Sequence, residues 1–290
     1  MVHSPGVIYV TQSRSGRAGT AEPEQMYPGS TSAKWLVQAE RYAGCNPMNA
    51  AHGILDGIFF ALLLAIPLIE WKWTWPRYLA RLKTGAPGVR RGFYRTLIAE
   101  EWIASACLLG CWTLRARPWS GLLLAGTATP LSMGIPPPLR LWAGLAIVAL
   151  LAGFLILQKK AILARPETME RMRPKLAYAE PLLPHTAEER RLFWLVSLTA
   201  GACEEIFFRG FLIWYLMAWM GPLMAVLLSS AIFGLGHIYL GWAQAPKTAL
   251  VGLILAFVAL SSASLFPAML LHALLDWNSG ELGHRVLRDQ

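Results

Sequence analysis

The chain has 290 residues, 55% of them hydrophobic and only 15% charged, with 13 tryptophans. That is more apolar than a soluble domain requires, and the four cysteines at positions 45, 107, 111 and 203 give no disulfide framework. The formal net charge of +9 raises nucleic acid as a partner, but the basic residues cluster between apolar runs, which excludes it.

Residues 1–47 are rich in Ser, Gly and Pro and contain no apolar run. They read as a disordered tail or a mis-called start, with Met48 the true first residue. They are not a signal peptide, because no apolar core of one exists there. The apolar runs then follow in order. "GILDGIFFALLLAIPLIEW" (53–71), "LIAEEWIASACLLGCWTL" (97–114) and "LWAGLAIVALLAGFLILQ" (141–158) are each near the ~20 residues that span hydrocarbon. Residues 119–138 are moderately apolar but broken by Gly and Pro, and suit a loop, a re-entrant segment or an extra span.

A polar stretch comes next, in which Thr186 as N-cap and Glu189 three residues later form a helix start. Beyond it lie "LFWLVSLTAGACEEIFFRGFLIWYLMAWM" (192–220), "PLMAVLLSSAIFGLGHIYLGW" (222–242), "TALVGLILAFVALSSASL" (248–265) and a short final "PAMLLHALLDW" (267–277). The expected fold is an all-α, polytopic transmembrane helical bundle of about seven to eight spans. Its organisation is a tail over 1–47, N-terminal transmembrane helices over 48–158, a linker over 159–188 and a core over 189–290.

Lys72, Arg77, Arg81, Lys83, Arg90, Arg91 and Arg95 lie between the first two spans. Lys159, Lys160, Arg165, Arg171, Arg173, Lys175, Arg190 and Arg191 lie between the third and fourth. Both segments are cytoplasmic by the positive-inside rule and attract anionic lipid. The expected location is the cell membrane, as a multi-pass protein of a bacterial inner membrane with a cytoplasmic C-terminus. Glu70, beside Trp71 and Lys72, and the Glu100–Glu101 pair read as interfacial. Asp56 lies near the outer end of the first span.

Charged groups at bilayer depth are costly and mark function. "GACEEIFFRGFL" holds Glu204, Glu205 and Arg209. On a helix Glu205 and Arg209 are one turn apart with the acid N-terminal, the favourable order for a pair. Glu204 points about 100° away and has no partner on its own span, which leaves it available as a general acid or base. The next run places His237 after Phe233 in "FGLGH", with Gly234 and Gly236 permitting close helix approach. The last run places His272 and Asp276 one turn apart in "HALLD". Polar groups on three spans that face one another constitute a site.

These three stretches, Glu204-Glu205-xxx-Arg209, Phe233-xxx-His237 and His272-xxx-Asp276, resemble the CPBP family, which contains the type II CAAX prenyl endopeptidases and bacterial bacteriocin-processing and self-immunity proteins. The resemblance covers about residues 189–280 and implies an intramembrane glutamic endopeptidase acting on a membrane peptide or protein. Glu204 and His237 would activate a water. His272 and residue 276 would stabilise the oxyanion, and Glu205 and Arg209 would support the site, with no cofactor. The family pattern has Asn or Asp at position 276. An ionised Asp276 cannot donate to an oxyanion, so it must be protonated or orient His272. A zinc-dependent protease with Glu204, His237 and His272 as ligands is an alternative, although no HExxH is present. A scaffold or proton-coupled carrier is a second alternative, which the lack of internal repeats disfavours.

Overall fold

The computed structural model describes residues 53–125, 129 and 135–288. The reading of residues 1–47 as a tail or mis-called start, and most of the Gly/Pro-broken part of 119–138, lie outside the described residues. Among the described residues the chain is helical, without a strand.

Helix α1 covers Ile54–Lys83 and contains a π-helical stretch at Glu70–Thr74. Much of the expected 72–95 loop is therefore helix. The chain reverses only over 84–88, where Gly85 and Gly88 take left-handed φ values of +68° and +80° that glycine adopts without strain. Helices α2 (Val89–Leu114), α3 (Pro137–Leu163) and the short α4 (Pro166–Leu176) follow. Helix α5 starts at the Thr186–Glu189 capping box, with Glu189 N–H donating to Thr186 Oγ1 at 3.1 Å. It runs α-helical over Ala187–Glu205, π-helical over Ile206–Leu212 and α-helical again over Ile213–Met217.

Helix α6 (Pro222–Leu235) is shorter than the 222–242 run implied, because the chain leaves the helix at Gly236 and turns through Ile238–Leu240 before α7 (Ala245–Ser262). The last helix, α8, covers Leu265–Arg288 and is far longer than the eleven-residue stretch expected from its apolar run. Among the described residues four helices are long and apolar enough to cross a membrane: Ile54–Lys83, Val89–Leu114, Pro137–Leu163 and Ala245–Ser262. The protein is an all-α membrane bundle.

Ion pairs fasten both ends. At one end Arg90 lies 3.4 Å from Glu189 and 3.7 Å from Glu180, and Arg91 lies 2.5 Å from Glu188. Here Tyr78 and Tyr94 donate to the carbonyls of Pro181 and Leu182. The two basic segments of the sequence thus share one end of the bundle, joined by the C-terminal part of α8, where His284 bonds the Pro184 carbonyl at 2.9 Å. At the opposite end Asp56 is 3% exposed and accepts from Arg117 at 2.6 and 2.7 Å and from Arg115 at 2.9 Å. The Arg117 guanidinium also lies against the rings of Trp112 and Trp214, at 5.1 and 4.7 Å. Asp56 is therefore the point at which α1 is tied to α2 and α5. Leu122 and Leu123, in the connection after α2, are buried at this same end, and the Leu265 N–H donates to the Leu123 carbonyl.

The core lies between α2, α5, α7 and α8 and is filled by Leu108, Trp112, Phe211, Leu255, Val258 and Leu271. Leu150, Phe154 and Leu157 of α3 are exposed, as suits a helix that meets lipid on its outer side. Small residues set the closest approaches. A Cβ on Gly201 would lie 2.7 Å from the Met269 carbonyl oxygen and 2.9 Å from Ala273 Cβ, and one on Gly234 would lie 2.4 Å from the Ala245 carbonyl oxygen. The first contact lets α5 lie against α8, and the second lets α6 lie against α7.

Gly201→Ala is expected to force α5 from α8 and to destabilise the solubilised protein by about 1–3 kcal/mol, as overpacking does. Gly153→Ala, at a position with no atom within 4 Å, is the control and should not lower the thermal midpoint. Equal midpoints for the two variants would contradict the packing account.

Candidate active site

The site is built on α5, at the point where α-helix gives way to π-helix just after Glu205. Such a wide turn inserts an extra residue into the ladder and is frequent at functional sites. Arg209 lies within it. The Arg209 guanidinium donates to Glu205 Oε1 at 2.7 Å and to the Gly252 carbonyl of α7 at 3.1 Å, and it rests 4.2 Å above the Phe233 ring of α6. Both side chains of the pair are buried, at 0% and 1% exposure. Gly252 leaves room where the guanidinium enters, since a Cβ there would sit 3.2 Å from Arg209 and from Phe233.

His272 of α8 shares the same acceptor: its Nδ1–H donates to Glu205 Oε1 at 2.9 Å. That bond fixes the imidazole and turns Nε2 toward the other acids. Nε2 lies 3.7 Å from Asp276 Oδ2, one turn along α8, and 3.9 Å from Glu204 Oε2. The two adjacent glutamates thus keep different company. Glu205 is committed to an arginine and a histidine. Glu204 is 21% exposed at its side chain, and its Oε2 has no hydrogen-bond partner among the described residues.

His237 stands just beyond the end of α6. Its Nδ1 lies 2.9 Å from the Phe233 carbonyl oxygen, an atom that can only accept. Nδ1 therefore carries the proton, and Nε2 presents a lone pair. The Phe233 ring touches both imidazoles, with centroids 4.9 Å from His237 and 5.7 Å from His272. The structure brings Glu204, Glu205, Arg209, His272 and Asp276 into one contiguous cluster. It sets His237 beside them through Phe233, without an ion-pair contact to Glu204.

Two acids read from the sequence as interfacial belong to this neighbourhood. Glu101 of α2 lies in the field of Glu204, Asp276 and Glu70, and its Oε2 is buried without a hydrogen-bond partner among the described residues. Glu70 opens the π-helical stretch of α1 and lies in the field of Glu204. The signal for Glu101 was present in its spacing. Arg90, Tyr94, Ser105, Leu108 and Trp112 are the buried positions of α2, and Glu101 falls on the same helical stripe. For Glu70 there was no such signal, because its position depends on α1 continuing past Trp71.

A metal held by Glu204, His237 and His272 would need these three to converge. Among the described residues no three His, Cys, Asp or Glu side chains are grouped to hold an ion, and both imidazoles pack on Phe233 rather than on each other. As they stand, Glu204, His237 and His272 are not grouped around a common point.

Glu205→Gln is expected to leave Arg209 buried without its counter-charge, at a cost of about 3–5 kcal/mol. Folded yield and thermal midpoint should both fall. Glu204→Gln should keep both, since Glu204 is not the counter-charge of the buried Arg209. A Glu205→Gln variant as stable as the parent would contradict the supporting role of the pair.

Residues 187–278 match the family model described as Type II CAAX prenyl endopeptidase Rce1-like. The comparisons find no match among curated proteins and none among solved structures. The matched segment runs from the first turn of α5 to the middle of α8, and every residue from Glu204 to Asp276 described above falls within it. The resemblance drawn from the three motifs is thereby borne out, and residues 187–278 carry the similarity to CAAX-type intramembrane proteases.

Proposed function

We propose that the protein is an intramembrane glutamic endopeptidase that hydrolyses a peptide bond in a membrane-associated peptide or protein. One observation carries the reading: of two neighbouring glutamates, the fully buried Glu205 is neutralised by Arg209 and His272, and the other, the partly exposed Glu204, has no arginine partner among the described residues and lies 3.9 Å from the Nε2 of His272. In the proposed reaction Glu204, with His237 Nε2 as second acceptor, holds and deprotonates a water. The water oxygen bonds to the scissile carbonyl carbon, and the carbonyl π pair moves to oxygen. His272, when doubly protonated, directs Nε2–H at that oxyanion, and Asp276 at 3.7 Å orients the imidazole. The C–N bond then breaks, and the amine leaves with the proton that Glu204 had taken.

The family match supports this class over a scaffold or carrier. The zinc alternative finds no support in the donor arrangement. We assign the shared basic end of the bundle, and with it the C-terminus, to the cytoplasm on the strength of its Lys and Arg content.

Purified protein in vesicles is to be tested on a farnesylated CAAX peptide, its unprenylated equivalent and a set of transmembrane peptides. Cleavage is expected, with Glu204→Gln and His237→Ala inactive and chelators without effect. Unimpaired turnover by Glu204→Gln would sink the mechanism, and chelator inhibition reversed by zinc would favour the metal reading. In a chain with its own cysteines replaced, Ala86→Cys should react with an impermeant reagent only after cell lysis. Labelling from outside intact cells would invert the topology.

A further inference from the structure

Tyr239 is a residue that neither the motifs nor the family match single out. It lies two positions beyond His237, in the turn that follows α6. Its ring is held on two sides, 6.0 Å from His237 at a near-parallel 27° and 5.1 Å from Trp75 of α1. Its hydroxyl makes no hydrogen bond to any of the described residues, whereas Tyr78 and Tyr94 each donate to a carbonyl. Those two are buried, whereas Tyr239 is only half-buried, so its hydroxyl is held by none of the described residues and is open to a bound group. The groups whose charges bear on Tyr239 are Glu204, Glu70, Asp276 and Glu101, all of them acceptors when ionised. The phenol is thus a donor without a partner among the described residues, stacked beside the His237 imidazole and in the field of those acids.

The chemistry calls for such a donor. Where the family pattern allows an amide at position 276, this chain has Asp276, which when ionised offers no hydrogen. His272 has already given its Nδ1–H to Glu205, so it brings at most a single N–H to an oxyanion. Oxyanion sites ordinarily present more than one donor.

Resting on the protease reading above, we infer that Tyr239 is a further catalytic residue, whose hydroxyl donates a hydrogen bond to the oxyanion formed at the scissile carbonyl. No proton is transferred. The O–H bond stays intact while the carbonyl oxygen gains the π electron pair, and the hydrogen bond is strongest at the tetrahedral stage. The ring packing on Trp75 and His237 supplies the rigidity that lets the bond form without reorganisation.

The test uses the full-length protein in vesicles and the peptide that it cleaves best among the farnesylated CAAX, unprenylated and transmembrane peptides named above. Tyr239→Phe keeps the ring and removes only the hydroxyl. It is expected to lower kcat by about 100-fold with KM changed by less than about twofold, at an unchanged thermal midpoint. A second variant carries a fluorotyrosine at position 239, a ring of nearly the same size with a more acidic hydroxyl. A donor to the reacting oxygen should make kcat shift with this acidity, and a purely packing role should not. Wild-type kcat in Tyr239→Phe, or a kcat indifferent to fluorination, overturns the assignment. Cleavage undiminished by Tyr239→Phe but lost in Glu204→Gln removes this role alone. A parent protein that cleaves none of the peptides removes the protease reading and this role together.

Discussion

The buried pair between Glu205 and Arg209 is the interaction on which the rest of the arrangement depends. A guanidinium at this depth is tolerable only with its charge matched and its donors used. Glu205 supplies the charge, the Gly252 carbonyl takes a second donor, and the Phe233 face covers the cation. These partners come from three helices, α5, α7 and α6, so one side chain ties them together at a single point. Because His272 bonds the same carboxylate oxygen, the fourth helix, α8, is held to that point as well. The geometry around Glu204 is a by-product of this lock. The neighbouring glutamate absorbs the arginine, which leaves Glu204 without a hydrogen bond to its Oε2 and facing the Nε2 of a fixed imidazole.

The lock needs the helices close together, which the small residues make possible. Gly201 brings α5 against α8 near Ala273, the residue after His272. Gly234, the residue after Phe233, brings α6 against α7. In a bilayer, where apolar side chains gain little by leaving lipid for one another, such close packing supplies much of the association between helices. The polar network and the glycine contacts therefore act on the same helix pairs.

Much of this was legible in the sequence, for identifiable reasons. Glu205 and Arg209 could be paired by counting along one helix, and the Thr186–Glu189 capping box could be read the same way. His272 and Asp276 are also one turn apart, and the structure adds that the imidazole sits between two acids and bonds a third. What the sequence concealed was whatever depends on where helices stop and which faces meet. The apolar run over 222–242 gave no sign that the helix ends at Leu235, which is what sets His237 and Tyr239 in a turn. Asp56 found its partners in Arg115 and Arg117 about sixty residues away, a separation that no local pattern reports. Glu70 looked like an anchor at a helix end because Trp71 and Lys72 follow it, yet α1 runs on to Lys83.

Helix α6 has a further consequence. Its 14 residues rise about 21 Å, whereas a hydrocarbon core measures about 30 Å and the 26 residues of α2 rise about 39 Å. The lipid beside α6 therefore meets a wall shorter than itself, and it must thin locally or admit headgroups toward the turn that carries His237. Thinning costs a fraction of a kcal/mol per Å and grows with acyl-chain length. The hydration of the His237 turn is in this way coupled to the thickness of the host membrane, so that fatty-acid composition would bear on the proposed hydrolysis without any ligand having to bind.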